Sequence, residues 1–569
     1  MHSWKRGIYV INFKKYIKDQ INKKGFDIEN VEIVTPPNEE MGDFALPCFT
    51  IKINDLKNPN EKSNYLKEHV SFDKNIISDV KVVGPYLNFY VNREFITSET
   101  LKEIQTNEKY GSNHTGEGKK LLIEHTSINP NASPHIGRTR NSIIGDFLVR
   151  LYKFEGYEVE RNYFVNDIGK QIAMLLVGVE KLGNIDNITF KDMLKLYIDI
   201  NELVKTDKSV EDQVFKYLYE LESGNEEVRE KFKRITDICI KGQQEIFNKM
   251  DIKWDVFKSE SDYVFEKRTT EILNELKEKG KLKEDENGRY YVDLSGYNVP
   301  TKSPVLVLTR EDKTSLYPLR DIAYTIDKVQ RNPENNIVVL GEDQEVYMKQ
   351  IAATLDILGY KAPNLVSYDF VLLNGDKMAT REGKVVLLED FIEKAKEKIA
   401  SVFEEKGSTV SDELVADLAA SCIKYNMLNV SRKKIVNFNL ESATDFQGNS
   451  AIYLLYNYVR INSILEKANY TFDENQAYEL KESLENSLIN SLYEFPEIIN
   501  TSLNTQESII ITTYLQNVAQ KFARYYEQVS ILSEDDEIVR KSRLALLNAT
   551  RRVLANGMSV LGINPVKKF

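Results

Sequence analysis

Only three cysteines, Cys48, Cys239 and Cys422, stand in 569 residues, and they lie far apart. None belongs to a CxxC or a Cys/His metal spacing, which argues against a disulfide framework and a structural zinc site and for reduced thiols. Long apolar runs are missing as well. No stretch approaches the roughly 18 residues that span a membrane, and lysines interrupt the opening "MHSWKRGIYVINFKKYIKDQ", which therefore lacks a signal-peptide core. A cytoplasmic location and no membrane partner are expected. Positive charge is not in excess: the net charge is −11. That argues against a blanket binder of nucleic acid or membrane but permits a local basic patch. There is no internal repeat at solenoid period. There is no GxxxxGK[ST], since "GEGKK" does not fit, and no Ser-His-Asp or Cys-His set. No metal-ligand cluster or carboxylate cage is legible.

What is present is the composition of a globular chain, 42% hydrophobic and 29% charged, long enough for several cores. Residues 1–112 read as α+β. A lysine-rich helix is expected near 10–24, and "VKVVGPYLNFYVN" (80–92) alternates like one strand with a bend at Gly84-Pro85. "NHTGEGKK" (113–120) reads as a linker. Next, "LLIEHTS" (121–127) predicts a strand. Ile143, Ile144, Phe147, Leu148 and Leu151 recur at helical spacing, Gly156 closes that helix, and "YEVERNYFVND" (157–167) predicts a second strand. Strand, helix, strand is a βαβ unit, for which parallel strands and a right-handed crossover are expected. Residues 172–255 read as a helical insertion. "PVLVL" (304–308), "NIVVLGED" (336–343) and "YDFVLLNG" (368–375) predict further strands, the first two separated by the helix "PLRDIAYTIDKVQ". From about 405 helical patterns dominate. The fold class is multidomain α/β: 1–112 an add-on domain, 113–405 a parallel-sheet core, 406–569 all-α.

The most informative stretch is "NPNASPHIGRTRNSIIGD", Asn129 to Asp146, which joins the first core strand to its helix. Ligands of open parallel sheets bind beyond the carboxyl ends of the strands, and a helix N-terminus suits an anion. His135 is placed to donate to a phosphate oxygen. Gly137, without a Cβ, lets a flat base approach the backbone. Arg138 and Arg140 add fixed positive charge.

This stretch resembles the HIGH signature of class I aminoacyl-tRNA synthetases. With "GYEVERNYFVNDIGKQ" it resembles the arginyl-tRNA synthetases over about 50 residues, Arg138 standing where a second His is expected. The resemblance implies a Rossmann-like catalytic core and a partner loop, KMSKS, that grips ATP phosphates. "KMATR", Lys377 to Arg381, is its counterpart, flanked by Gly375 and Gly383. It departs from the pattern: Ala379 replaces the serine and Thr380 the second lysine, and no lysine stands in "NASP" to compensate. Arg381, Arg138 or Lys384 is left to balance the pyrophosphate. The family chemistry is electrostatic: the amino-acid carboxylate attacks the ATP α-phosphorus, with magnesium (Mg2+) bridging phosphates. The resemblance makes His135, Arg138, Lys377 and Arg381 the catalytic set, and His135, Gly137, Arg138, Lys377 and Met378 the ATP-binding set.

L-arginine, as substrate, needs carboxylates matched to a planar guanidinium. Tyr317 and Asp321 share one helix face at i, i+4, and Glu124, Ser127 and Asn129 end the first strand. These positions and Gln344 match those the family uses around arginine. For Asp321 taken alone a solvated helix face, and for Tyr317 a packed core ring, are the alternatives. The ends of the chain add tRNA(Arg) as partner. "NSAIYLLYNYVRINSIL" and "AQKFARYYEQVSIL" resemble the family's anticodon-binding domain, with Tyr453, Tyr456, Tyr458, Arg460, Tyr525 and Tyr526 as stacking candidates. Residues 541–569 hold six Lys/Arg and no Asp/Glu. "PPNEEMGDFALPCFTI" resembles the N-terminal add-on domain. The resemblance implies an arginine–tRNA ligase that needs bound tRNA to activate arginine, and a monomer is expected. A synthetase-like tRNA-binding paralogue without activity, a class I synthetase for another amino acid and a nucleotidylyltransferase stay open.

Overall fold

The computed structural model describes residues 12–569 except 54, 183–187, 333, 374–375, 378–385, 406, 408–409 and 446–447, together with the side chains of Glu39, Leu182, Leu373, Asp376 and Lys377. Its centre is a five-stranded parallel sheet. The strands are β1 (Lys120–Glu124), β2 (Glu158–Val165), β3 (Val256–Ser259), β4 (Asn336–Gly341) and β5 (Asn364–Tyr368), in the order β5-β4-β1-β2-β3. The helix α1 (Ile136–Phe154) joins β1 to β2 as the βαβ reading requires, and Gly156, at φ +93°, turns the chain out of it. Gly145 lets α1 lie close to the end of β1, because a Cβ there would meet the His125 ring at 2.3 Å.

The insertion is four helices: Lys170–Leu182, Phe190–Thr206, Lys208–Glu222 and α2 (Glu226–Asn248). They close on a small core of their own that includes Ile172, Leu175, Val214, Phe232 and Cys239. The chain then returns to the sheet through β3, a strand not foreseen in the sequence. Two expected core strands belong elsewhere. "PVLVL" forms Val305–Val307, the edge of a separate antiparallel sheet with Leu282–Glu284 and Tyr290–Asp293. "YDFVLLNG" begins only as β5 ends, and its Val371–Leu373 pairs with Asp376–Lys377 and Val436–Phe438. Neither run is long enough to tell a parallel partner from an antiparallel one. Between them lie α3 (Tyr317–Arg331) and α4 (Glu345–Leu358).

At the N-terminus a helix, Phe13–Asn22, covers an antiparallel sheet of Phe44–Pro47, Tyr86–Val91 and Ile77–Val83. The single bent strand expected at 80–92 is a hairpin, because Gly84 takes φ +57° and reverses the chain. At the other end the helices Ala451–Lys467, Ser483–Thr505, Ile509–Gln528 and α6 (Glu537–Val560) follow α5 (Asp412–Leu428). The two ends of the chain meet: Tyr110 donates its hydroxyl proton to Leu492 O at 2.9 Å, and Gln105 Nε2 donates to Ala545 O at 3.0 Å. One hydrophobic cluster therefore runs from Phe13 through the core to Ile563.

A buried ionic chain ties α1 to this frame. Lys424 of α5, 1% exposed, reaches Asp146 of α1 at 3.2 Å and the carbonyl of Gly562, just past α6, at 3.1 Å. Arg150 joins Asp146 at 2.8 Å to Asp251 at 2.9 Å. Among the described residues no helix is long and apolar enough to cross a membrane.

Candidate active site

The His-Ile-Gly turn, Ser127, Asn129 and Gln344 follow the carboxyl ends of β1 and β4, where parallel sheets leave a crevice. The strand order reverses between β1 and β4, and a cavity of about 410 Å³ opens there, within the roughly 300–1,000 Å³ of small-molecule sites. Ser127 and His135 line it from the β1–α1 loop, Gly137 and Arg138 from the first turn of α1, and Gln344 from the β4–α4 turn. Five predicted residues thus share one wall.

His135 is the N-cap of α1. Its Nδ1 accepts from Arg138 N at 3.3 Å, which leaves Nε2 to carry the proton and donate. Burial, with Arg138 nearby, lowers its pKa to about 4, so the ring is neutral at pH 7. The Arg138 guanidinium is exposed and donates to Ser127 O at 3.0 Å. Behind the loop, Thr126 holds φ +71°, a conformation uncommon for a residue with a Cβ. Two side chains of α1 impose it: Asn141 Oδ1 accepts from Thr126 N at 2.5 Å, and the Thr126 hydroxyl donates to Ser142 Oγ at 2.7 Å. Asn141 also lines the cavity and donates to Val339 O at 2.7 Å.

Arg140 is a correction. It is 0% exposed, and its guanidinium donates to the carbonyls of Asp369 at 2.6 Å, Lys434 at 2.8 Å and Ser431 at 3.1 Å. It pins α1 to the segments after β5 and offers nothing to a phosphate. Residues two apart on a helix face different ways, so Arg138 and Arg140 could not both point at one ligand.

Lys377 pairs through its backbone with Leu372. Its side chain, with Met378, Ala379, Thr380, Arg381 and Lys384, lies outside the described residues. Where the chain is described again it runs antiparallel to the His-Ile-Gly turn: Ile136 N donates to Val386 O at 3.1 Å and Leu388 N to Pro134 O at 2.8 Å.

Asp321, Tyr317 and Glu124 do not line the cavity. They form a second group beside it, on α3 and the end of β1. Tyr347, one turn along α4 from Gln344, donates its hydroxyl proton to Asp321, and its ring lies 5.3 Å from that of Tyr317. Tyr317 is 54% exposed, so it is no core ring. Asp321 is no solvated helix residue either. Burial, then the nearby Glu260 carboxylate, raises its pKa to about 7, the Tyr347 hydrogen bond opposing and Glu124 adding to the rise. Glu124 pairs with Lys328, and Glu260 with Arg320 at 2.5 Å. Among the described residues that leaves Asp321 as the carboxyl of this group without an ion pair, and a guanidinium placed beside it would favour its ionised form. Asn129 lies on the loop itself, its carbonyl accepting from Gln243 of α2 at 3.0 Å.

Sequence reasoning missed Asn141, Tyr347, Glu260 and Gln243. For Gln243 a signal existed: it is an amide among Cys239, Ile240, Ile246 and Phe247 on an apolar helix stripe, where a buried polar group demands a partner. Among the described residues no group of three or more His, Cys, Asp or Glu could hold a metal. In the C-terminal helices Arg460 lies over the rings of Tyr456 at 4.7 Å and Tyr526 at 5.1 Å, both partly exposed. Tyr525 is fully buried, a core residue rather than a platform, and Arg543 of the basic end is held by Glu485 and Glu534.

A crevice at the strand switch, a His-Ile-Gly helix cap and a helical domain behind it are the arrangement that the resemblance to class I tRNA synthetases implies. Sequence profiles agree: residues 100–441 match "tRNA synthetases class I (R), catalytic domain", 454–569 the "DALR anticodon binding domain", and 12–91 the "Arginyl tRNA synthetase N terminal domain". The chain is 32% identical over 569 residues to the arginine–tRNA ligase of Methanocaldococcus jannaschii, covering 97% of this chain and 98% of that one. It is 31% identical over 555 residues to that of Clostridium botulinum, covering 95% and 97%. The chain belongs to the arginyl-tRNA synthetase family. Its fold is similar to that of the Thermus thermophilus arginyl-tRNA synthetase, with TM-score 0.81 at 23% identity over 98% of this chain and 100% of that one. The Plasmodium falciparum enzyme matches at TM-score 0.78 and 20% identity, over 99% and 100%.

Proposed function

We propose that the chain is an arginine–tRNA ligase whose cavity at the start of α1 takes the ATP phosphates and whose Asp321 group takes the arginine side chain. The observation that carries this reading is the adjacency of the two. A donor-lined cavity and a set of coupled carboxylates share the end of β1 and the first turns of α4. ATP arrives as its magnesium complex, a substrate, so no resident carboxylate cage is required. The arginine carboxylate attacks the α-phosphorus, arginyl-adenylate forms and pyrophosphate leaves. His135 Nε2–H donates to a phosphate oxygen, Gly137 admits the adenine, and Arg138 with Lys377, Met378 and Arg381 completes the phosphate side. Ser127, Asn129 and Gln344 hold the α-amino end, and Tyr317, Asp321 and Glu124 the side chain. A hydroxyl of the tRNA 3′-terminal ribose then attacks the carbonyl and AMP leaves.

The domains divide the work as 1–112 for the outer tRNA, 113–405 for chemistry and 406–569 for the anticodon. The Tyr456–Arg460–Tyr526 cluster is suited to stacking on unpaired bases. The test is arginine-dependent exchange of pyrophosphate into ATP, with and without tRNA(Arg). Exchange that requires tRNA is the expected result. None in either condition leaves a tRNA-binding paralogue, and exchange with another amino acid leaves a different synthetase.

A further inference from the structure

Gln243 lies on α2, in the insertion, far in sequence from the His-Ile-Gly turn, yet its side chain ends at the loop that precedes His135. It is 1% exposed. Nε2 donates to Asn129 O at 3.0 Å and to Ala132 O at 2.8 Å, using both amide protons, and Pro130 O lies at 3.4 Å. Oε1 faces the Tyr163 hydroxyl of β2 at 2.8 Å, and that hydroxyl also reaches Ile128 O at 2.9 Å. Only one orientation of the amide fits, because the flipped form would set Oε1 against two carbonyl oxygens. Two carbonyls of the loop, Asn129 and Ala132, are thus held by the Gln243 amide, and the one Tyr163 hydroxyl proton serves either Ile128 O or Gln243 Oε1. Among the described residues the tie made within residues 128–132 is Ala132 N to Asn129 O at 3.0 Å.

We infer that Gln243 is a positioning residue for adenylate formation, through which the insertion fixes the 128–132 loop and so the spacing between Ser127 and His135. The inference rests on the proposed ligase reading. On that reading Ser127 and His135 hold opposite ends of the reacting pair, the arginine α-amino group and an ATP phosphate. Both flank the braced loop. A loop free to shift would keep each contact but spend less time with the two reactants aligned, and misplacement near an ångström is costly in rate. Such a change lowers kcat and spares KM.

The test compares four full-length proteins: wild type, Gln243→Met, which keeps volume and loses both donors, Tyr163→Phe, and Ile235→Val, a core change on the same helix. Arginine-dependent pyrophosphate exchange with tRNA(Arg) is measured beside amide hydrogen exchange of residues 128–136. Gln243→Met is expected to lower kcat at least tenfold, with the KM values for ATP and arginine within about threefold, and to speed exchange of the Ala132 amide. Tyr163→Phe should do the same more weakly, and stands in if Gln243→Met fails to fold. Ile235→Val should lower the thermal midpoint without the kcat loss. The inference is overturned by a folded Gln243→Met with kcat within twofold of wild type, by Ile235→Val losing as much kcat, or by unchanged Ala132 exchange. Failure of the ligase reading looks different: wild type itself shows no arginine-dependent exchange, and the hydrogen-exchange arm still decides whether Gln243 braces the loop.

Discussion

The two halves of the site are built from different materials. On the proposed reading the phosphate side is mostly main chain: a helix N-terminus, a glycine and a loop tied down by amides, with His135 and Arg138 at its lip. On that reading the arginine side is made of side chains: Asp321, which accepts from Tyr347, beside Glu124 and Glu260, each of which already holds a cation of its own. Main-chain donors survive the loss of any one side chain, whereas a guanidinium that loses its carboxylate loses the reason to bind. The first half should therefore be forgiving and the second brittle.

Asp321→Asn should break the arginine side outright. Truncating one partner of a desolvated charge pair costs 2–5 kcal/mol or more, so kcat/KM for arginine in pyrophosphate exchange should fall on the order of 10²–10³-fold, with the KM for ATP little changed. An equal loss in both parameters would mean that the halves are not separate. His135→Ala should cost less, on the order of 10–100-fold in kcat, because one donor goes and the helix terminus remains; a fall as deep as that of Asp321→Asn would erase the contrast.

The third expectation concerns pH. With Asp321 near pKa 7, arginine binding needs the ionised form, so kcat/KM should rise about tenfold per pH unit below 7 and level off above it. Tyr347→Phe removes the hydrogen bond that favours the ionised carboxylate, so the break in the profile should move to higher pH. A break that stays put would remove Tyr347 from the site.

The smallest effect is on stability. A carboxyl whose folded pKa lies above its unfolded value of roughly 3.9 stabilises the fold in acid, and that contribution is lost as pH rises through 7. Asp321→Asn should therefore raise the urea midpoint at pH 8, reflecting on the order of 1–2 kcal/mol of unfolding free energy, and give no gain at pH 4. Equal midpoints at pH 8 would show that the carboxylates do not strain one another.

Much of the phosphate half could be read from the sequence, since a βαβ unit announces itself by period and by a closing glycine, and His135 falls where the topology puts a ligand. Arg140 was misread because charge along a sequence says nothing about which helix face carries it. Tyr317 and Asp321 came from family resemblance, their spacing alone fitting a wet helix face equally well. The brittle half was otherwise hidden: Glu260 stands just past β3, a four-residue strand too short and too polar to register, and Tyr347 is one tyrosine among 31. Three-residue strands such as Val305–Val307 carry no periodicity from which their sheet could be told.

The lysine at 424 makes the reaction centre answerable to the far helices. Its buried ammonium leans on Asp146, in the helix that begins at His135, and on the carbonyl of Gly562, just past α6. One desolvated cation is thus shared between the two, and a disturbance that pulled Gly562 away would leave it on Asp146 alone, a poorly compensated charge directly behind that helix.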